Sequence, residues 1–195
     1  MWYLLLVSCG TAPPPDVLPH PTVTPSYPPQ ALREVFVLES WGTPAEDTTL
    51  VLRRGEARTV LVRRGAPDNN LYARVAFPPG AIAPRTGDSA TVRLRVPPGL
   101  YGLEVITEAP LAQPAEVTFS YAIHFAAPEG AEAAYGSSLQ LERFLGIGRL
   151  EGDTTMVFLD TWRPASDLVS ARLPGSGRYL VAAPRRPPGF RAIIF

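Results

Sequence analysis

The 195-residue chain balances 18 basic side chains, all of them arginine, against 18 acidic ones. Zero net charge provides no long-range field to attract a polyanion, so we expect no nucleic-acid partner. No stretch reaches the roughly 18 consecutive apolar residues that a membrane-spanning helix needs, and the length suits one domain or two small ones.

The only cysteine, Cys9, follows a short apolar run and precedes a proline-rich segment. Residues 6–10 read Leu-Val-Ser-Cys-Gly, which resembles the lipobox of bacterial lipoproteins. The resemblance implies that Cys9 is the lipid-attachment site and that residues 1–8 are a signal peptide removed before it. The acylated Cys9 would then bind the membrane, which is the first partner we expect. A lone cysteine excludes an internal disulfide.

The N-terminal segment departs from an ordinary signal peptide in two respects. Residues 1–8 are short, and they begin without a basic side chain. We therefore expect a truncated or degenerate signal peptide whose true start lies upstream, or else an accidental motif match. Gly10 follows the cysteine where lipoproteins retained at the inner membrane resemble one another in having aspartate. The expected location is the cell envelope, at the outer membrane or cell surface rather than the inner membrane.

Residues 9–30 comprise the attachment cysteine and a proline-rich linker. Eight prolines are spread through residues 11–30. Such a segment lacks the apolar content to pack, and it favours an extended polyproline-like chain. At ~3.1 Å per residue, 20 residues span up to about 60 Å. We predict a disordered tether that holds the following domain clear of the lipid headgroups.

From residue 31 the chain reads as short strands with turn signals every eight to twelve residues. This spacing predicts an all-β fold, an antiparallel sandwich of immunoglobulin-like architecture over residues 31–195. We predict a hairpin from residues 48–54 and 57–64, and further strands that include residues 138–145. No stretch shows sustained helical periodicity. The segment 128–136 is a candidate break, which would divide the domain into 31–128 and 137–195.

Two stretches carry a second resemblance. Residues 75–82 read Val-Ala-Phe-Pro-Pro-Gly-Ala-Ile, and residues 114–121 read Pro-Ala-Glu-Val-Thr-Phe-Ser-Tyr. With the later strand signals, the pattern over residues 71–183 is similar to the ZU5-type β-sandwich. The resemblance implies a domain used for scaffolding or protein contact, and not for catalysis. Some animal relatives self-cleave at a His-Phe-Ser sequence. Residues 124–126 read His-Phe-Ala, which lacks the hydroxyl nucleophile, so we predict no self-cleavage.

The search for reactive groups is negative. Two histidines, His20 and His124, do not make an ordinary zinc site with a cysteine committed elsewhere, and no Gly-x-Ser-x-Gly elbow presents a serine. The acidic pairs at 104 and 108 and at 153 and 160 are interpreted as surface charge. We predict no enzyme activity, no catalytic residue, no cofactor and no metal site.

Aromatic residues provide one candidate binding surface. Trp41, Trp162 and Tyr101 fall in or near predicted loops. Rings on loop rims stack against sugars in carbohydrate-binding sandwiches, although scattered aromatics also cap cores.

Arginines provide another candidate surface. They crowd the predicted hairpin at Arg53, Arg54, Arg63 and Arg64. Such a cluster could meet an acidic polymer, or it could be a solvated strand edge that resists unwanted pairing.

Together these features predict a lipid-anchored envelope protein whose sandwich serves a structural or protein-interaction role. Its further partners would be an envelope protein or a polysaccharide. A carbohydrate-binding module is the alternative function, and a hydrolase with an unrecognised site is the second alternative.

Overall fold

The computed structural model describes residues 22–23, 26–83, 87–121 and 125–187. Cys9, most of the proline-rich linker and both histidines lie outside these ranges. The predictions of a signal peptide, an acylated cysteine, a disordered tether and an uncleaved His-Phe-Ala sequence therefore remain predictions.

The described residues form sixteen strands, two α-helices and one 3₁₀-helix. The strands are β1 (Thr22–Val23), β2 (Gln30–Ala31), β3 (Val35–Val37), β4 (Glu39–Ser40), β5 (Thr48–Arg53), β6 (Arg58–Arg63), β7 (Leu71–Phe77), β8 (Ser89–Arg95), β9 (Gly102–Thr107), β10 (Ala115–Ser120), β11 (Phe125–Ala126), β12 (Gly146–Glu151), β13 (Thr155–Phe158), β14 (Thr161–Arg163), β15 (Leu168–Leu173) and β16 (Gly177–Pro184). The helices are the 3₁₀ turn Leu32–Glu34, α1 (Ala131–Tyr135) and α2 (Ser138–Phe144).

Two antiparallel sheets pack face to face, which confirms the predicted all-β sandwich. The smaller sheet has the order β1-β14-β15-β10-β7-β6. The larger sheet has the order β2-β13-β12-β16-β9-β8-β5, and β3 also pairs with β16. The short strands β4 and β11 pair separately.

The core between the sheets follows the two-residue period of the strands. In β8, Val92 and Leu94 are fully buried, whereas Arg93 and Arg95 are exposed. β10 alternates in the same way. Burial of these apolar faces is the main stabilising term, at about 25 cal/mol per Å². The largest fully buried side chains include Tyr72, Tyr101, Tyr121, Tyr179, Phe77 and Phe119.

The N-terminal strands join one lateral side of the sandwich. β1 extends the smaller sheet beyond β14, with Val23 opposite Trp162. β2 extends the larger sheet beyond β13, with Ala31 opposite Thr155. On the opposite side, β5 and β6 are the last strands of their sheets within the described ranges. At about 4.8 Å per strand, β6 lies roughly 24 Å across the sheet from β1.

Strands from both sides of the segment 128–136 share both sheets. β15 lies between β14 and β10, and β16 lies between β12 and β9. β10 pairs with β15 in unbroken register, from Ala115 opposite Leu173 to Ser120 opposite Leu168. The parts 31–128 and 137–195 are therefore interleaved wherever the structure describes them.

The predicted strand at 138–145 is wrong, because residues 138–144 form the helix α2. The Ser137 side chain accepts a hydrogen bond from the Gln140 N–H, which caps the helix N-terminus. Leu141 and Leu145 are buried at helical spacing, whereas Leu139 is 63% exposed. The sequence pattern, which shows no sustained helical periodicity, did not indicate this seven-residue helix.

The predicted hairpin at 48–64 is also wrong. β5 pairs with β8 in the larger sheet, and β6 pairs with β7 in the smaller sheet. The turn at Gly55 (φ 76°) therefore carries the chain from one sheet to the other. Alternating side chains do not distinguish a hairpin from such an arch, since both place one face of each strand on the core.

Candidate functional site

An open groove of about 630 Å³ lies at the margin of the smaller sheet. Trp162 of β14 and the exposed Arg172 of β15 belong to adjacent strands, and Asp160 precedes β14. Among the described residues, the groove is lined by Pro114, Leu159, Asp160, Trp162, Arg172 and Pro174. Apolar walls with one carboxylate and one guanidinium have the composition of a site that orients a ligand through a few polar contacts. We refer to it as the Trp162 groove.

A buried threonine fixes the base of the Trp162 groove. Thr161 is 3% exposed, and its hydroxyl donates to the Leu159 carbonyl at 2.9 Å. The same oxygen accepts the Ile147 N–H at 3.1 Å. The bond from Ile147, together with the Leu159 N–H donating to the Ile147 carbonyl at 2.9 Å, holds the segment 159–161 to β12 of the larger sheet.

The sheet beside Trp162 carries a hydroxyl pair formed by buried Ser170 and half-buried Thr118. Ser170 is opposite Trp162 in the ladder and is fully buried. Its hydroxyl shares a 2.7 Å hydrogen bond with that of Thr118 on β10. The bond satisfies two polar groups that would otherwise be costly to remove from water.

Arg163 lies next to Trp162, and its Nη2 donates to the carbonyl of Leu145, the residue after α2, at 3.4 Å. The Nη1 of Arg163 donates to the Tyr121 hydroxyl. The Arg163 guanidinium carbon also lies 5.8 Å from the centroid of the Tyr121 ring. Its Nε is buried without a hydrogen-bond partner among the described residues. Burial raises the pKa of the Glu142 carboxyl, and the Arg163 charge opposes that change. Burial also raises the pKa of Tyr27 to about 12, again opposed by Arg163.

The three predicted aromatic contacts do not form one surface. Trp162 lines the groove, but Trp41 does not, although it is 57% exposed. The Trp41 indole donates to the Phe125 carbonyl at 2.8 Å. Tyr101 is fully buried, which corrects its expected place on a loop rim. Each of the six tyrosines in the described ranges is buried, so these residues offer no row of exposed rings.

Tyr101 belongs instead to a buried cluster around Arg64. Arg64 is 3% exposed and donates from Nη2 to the Tyr101 hydroxyl at 2.8 Å and to Ser40 at 2.9 Å. Its Nη1 donates to the carbonyls of Trp41 (3.1 Å) and Thr43 (2.8 Å). The expectation of a surface cation at Arg64 is therefore wrong. The guanidinium ties the 40–43 loop to the core.

A β-bulge completes the Arg64 cluster. Val62 is opposite Ala73 and Arg63 is opposite Leu71, so Tyr72 is an extra residue on β7. The Tyr72 hydroxyl reaches the larger sheet, where it accepts the Gly102 N–H at 2.8 Å. The Tyr72 and Tyr101 rings stack with centroids 5.1 Å apart. The Arg64 guanidinium lies 5.4 Å and 5.5 Å from the two ring centroids, within cation–π range.

The four arginines of the predicted basic surface lie in three separate places: beside the turn between β5 and β6, at the far end of β6, and in the core. Arg53 and Arg54 lie beside the 54–57 turn, where Arg54 contacts Asp88 at 3.5 Å. Arg63 lies at the far end of β6 and donates to the Asn69 carbonyl. A six-residue strand is about 20 Å long, so these residues do not form one cluster.

The larger sheet carries mixed charges on its outer side. Two smaller grooves there, of about 410 and 340 Å³, share Asp47 and Arg95. Glu104 is opposite Arg95 on one neighbouring strand and Arg178 on the other. The alternating signs offset one another, so this face has no strong single-sign field.

The carboxylates named from the sequence are not brought together as catalytic pairs. Glu104 belongs to β9. Glu108 follows β9, and hydrogen bonds from the Thr91 side chain and from the Thr91 N–H, the latter at 3.0 Å, lower the pKa of Glu108. Asp153 and Asp160 flank opposite ends of β13. The described ranges contain no cluster of three metal-ligating side chains.

Sequence reasoning missed Arg172 and the inward position of Arg64. Arg172 alternates with buried Ala171 and Leu173, a signal for an outward side chain beside Trp162. Arg64 continues the inward series of Val60 and Val62, a signal for burial.

The structure is thus an antiparallel β-sandwich with a groove beside Trp162 at the margin of one sheet. No protein-family model matches the chain, and neither a curated protein nor a solved structure matches it significantly. Among the described residues, no helix is both long and apolar enough to cross a bilayer.

Proposed function

We propose that this chain is a lipid-anchored protein of the cell envelope whose sandwich acts by contact with other molecules. The observation that carries the proposal is the order of its parts. A lone cysteine in a lipobox-like sequence is followed by a proline-rich linker and then by a packed sandwich. The outer membrane or cell surface is the proposed location.

The position of the N-terminal strands supports this proposal. β1 and β2 join the lateral side formed by β14 and β13, which is where the linker enters the fold. The strands β5 and β6 lie on the other side. An anchored chain would therefore direct that far side away from its attachment point. The similarity of residues 71–183 to the ZU5-type β-sandwich also supports a scaffolding or protein-contact role, because that is the role the resemblance implies.

Cell fractionation tests the anchor. The protein and a Cys9→Ala variant are expressed from the genuine start codon in a bacterial host, and membrane and soluble fractions are separated. The Ser8→Ala variant is the matched control, because it keeps a small residue before the cysteine. The proposal expects wild type and Ser8→Ala in the membrane fraction and Cys9→Ala in the soluble fraction. Equal distribution of all three proteins would overturn it.

The Trp162 groove favours carbohydrate binding as a second candidate function. An indole face beside Asp160 and Arg172 could stack on a sugar ring and hydrogen-bond its hydroxyls. Retardation on polysaccharide affinity gels measures this. The candidate expects retardation that is lost in Trp162→Ala and kept in Trp41→Ala, because Trp41 lies outside the groove. Absence of retardation of the wild type on every gel would remove this candidate.

A further inference from the structure

The Trp162 groove contains side-chain hydrogen-bond donors that the described part of the chain does not use. Trp162 is half-buried and Arg172 is exposed. Among the residues that the structure describes, neither side chain makes a hydrogen bond or an ion pair. An indole has one N–H donor, a guanidinium has five, and neither group accepts a hydrogen bond. The groove therefore suits an occupant that is rich in carbonyl oxygens.

The charges of the groove offset one another. Asp160 and Arg172 line it, and Glu116 is opposite Arg172 on β10. Two carboxylates beside one guanidinium produce no strong field of either sign. The other walls are apolar, and two of them are the prolines at 114 and 174. An uncharged segment with apolar rings and free carbonyls matches this lining better than a strongly acidic or basic segment does.

The chain brings such a segment to the margin of the groove. β1 pairs with β14, and Val23 is opposite Trp162. The preceding residues, 11–21, read Thr-Ala-Pro-Pro-Pro-Asp-Val-Leu-Pro-His-Pro. Residues 11–15 carry no charge, and their three consecutive prolines have carbonyl oxygens but no N–H groups. The hydrogen-bonding groups of this proline run are thus complementary to those of Trp162 and Arg172.

The proline run is close enough to reach the groove. Because β1 is antiparallel to β14, the chain before Thr22 has to turn back to reach Asp160. Seven residue steps connect Thr22 to Pro15, and an extended chain of that length spans up to about 22 Å. The lining beside β15 and β10 lies one and two strands from β14, within about 10 Å. About half of the reach therefore remains for the change of direction.

A tethered proline run needs little intrinsic affinity. Polyproline-like chains are extended before they bind, so docking costs less conformational entropy than the ordering of a flexible loop. Proline-rich segments dock in aromatic-lined grooves for this reason. A short linker gives its ligand an effective concentration on the order of 1 mM. A dissociation constant of about 1 mM for the free segment then suffices for half occupancy within one molecule.

We propose that the Trp162 groove is the docking site for the proline run at residues 13–15 of the same chain. The prolines pack on the Trp162 indole, and their carbonyls accept hydrogen bonds from Trp162 and Arg172. The docked run excludes other ligands, sugars included, until it is displaced. It also shortens the linker, because only residues 10–12 then separate Cys9 from the groove. The inference goes beyond the proposed function, and it needs neither an acylated Cys9 nor a sugar ligand.

Proton–nitrogen NMR of the tryptophan indoles in the 195-residue chain tests the docking. Cell-free synthesis supplies the chain without lipid, and Trp162→Phe assigns the Trp162 signal. The variant without the run, called the triple variant, combines Pro13→Ala, Pro14→Ala and Pro15→Ala. Pro19→Ala is the matched control, because it changes a proline of the same linker outside the run. The triple variant should shift the Trp162 signal and leave the Trp41 signal in place, and Pro19→Ala should shift neither.

Titration with free peptides measures the competition for the groove. One peptide copies residues 11–18, and a second has alanine in place of the three prolines. The triple variant should bind the proline peptide with a dissociation constant on the order of 1 mM or tighter, and the alanine peptide much more weakly. The wild type should bind the proline peptide at least about twofold more weakly than the triple variant does, because its own run competes.

A groove substitution in the triple variant tests the contact from the other side. Arg172→Ala should weaken binding of the proline peptide about two- to tenfold, the effect of one hydrogen bond. Arg74→Ala is the matched control, because Arg74 is an exposed arginine of the same sheet that lies outside the groove. Circular dichroism establishes that each variant is folded. If Arg172→Ala does not fold, the two peptides still decide the question with an unchanged sandwich.

Several results would overturn the proposal. They are an unchanged Trp162 signal in the triple variant, absence of proline-peptide binding to that variant, equal binding of the proline and alanine peptides, and equal effects of Arg172→Ala and Arg74→Ala. A wild-type Trp162 signal that moves on dilution would show docking between copies, and it would overturn docking within one chain. Membrane fractionation is measured separately, so failure of the anchor is distinguishable from failure of the docking site.

Discussion

Replacement of Arg64 by leucine tests whether a buried cation holds one end of the sandwich together. The side chain donates hydrogen bonds to two backbone carbonyls, the Ser40 hydroxyl and the Tyr101 hydroxyl. It also lies over two stacked tyrosine rings. Leucine keeps apolar contact with those rings but cannot donate to any of the four oxygens.

The expected loss follows from the burial of those oxygens. Hydrogen bonds to charged groups contribute about 1.5–3 kcal/mol each, and a buried group left unsatisfied costs about 1–3 kcal/mol. The Arg64 bond to Tyr101 is fully buried, whereas the bonds to Ser40, Trp41 and Thr43 are partly buried. Water can replace the arginine at the partly buried sites. Removing a cation from an apolar site also recovers some of its desolvation cost. We therefore expect a net loss of about 2–4 kcal/mol.

Urea unfolding followed by circular dichroism measures this loss, and thermal unfolding should show a decrease in Tm of about 5–15 °C. Arg63→Leu is the matched control. Arg63 is the preceding arginine, it is exposed, and its change should stay within about 0.5 kcal/mol. Native-state proteolysis adds a local readout, because the 40–43 loop loses its tie to the core. If Arg64→Leu unfolds within 0.5 kcal/mol of the wild type, the cluster does not hold the loop and the reasoning is refuted.

Three further predictions follow from other buried contacts. Gly102→Ala should lower the free energy of unfolding in urea by about 1–3 kcal/mol, because the new Cβ would lie 2.6 Å from the Tyr179 carbonyl oxygen. Gly175→Ala is the control and should be near neutral, because no atom lies within 4 Å of a Cβ at that position. Equal losses in the two variants would contradict the packing around Gly102. Burial raises the pKa of Tyr72, Tyr101, Tyr121, Tyr135 and Tyr179. Their protonated forms therefore stabilise the fold below pH 10, and that stability is lost as the pH rises above it. Tyrosinate absorbance near 295 nm should appear together with unfolding, and early titration in the folded state would be the wrong result. The pKa of Glu142 is also raised, so its protonated carboxyl stabilises the fold at acid pH, and this stabilisation is lost as the pH rises through the folded-state pKa. Glu142→Gln should therefore gain stability relative to wild type from pH 4 to pH 7. A relative loss would mean that attraction to Arg163 outweighs burial.

The sequence predicts the sandwich where burial and strand period agree. Val92 and Leu94 alternate with Arg93 and Arg95, and the structure places each on the expected side. The two failures have separate physical causes. A seven-residue helix shows too few turns to reveal its period, so the leucines at 139 and 141 mimic a strand. The turn at Gly55 is equally compatible with a hairpin and with a crossing between sheets.

The candidate site depends on contacts that local patterns do not contain. Trp162 could be named as a loop aromatic, but Pro114, which lines the same groove, precedes β10 and is distant in sequence, and Arg172 reaches the groove because β15 pairs with β14. Arg64 follows an inward alternation, yet its burial depends on Tyr72, which a bulge turns toward the larger sheet. Strand pairing, packing between the sheets and local register shifts decide these positions. None of them can be read from the composition or from the hydrophobic period of the sequence.

The central claim is attachment of the sandwich to a membrane through Cys9. Intact mass spectrometry of the protein tests it most directly, with the protein expressed from its genuine start codon in a bacterial host and recovered separately from the membrane and soluble fractions. The account predicts a mature protein that begins at Cys9 and carries the additional mass of a diacylglyceryl group on that cysteine. An unmodified thiol at Cys9, in a chain that retains residues 1–8 and stays in the soluble fraction, would contradict the account.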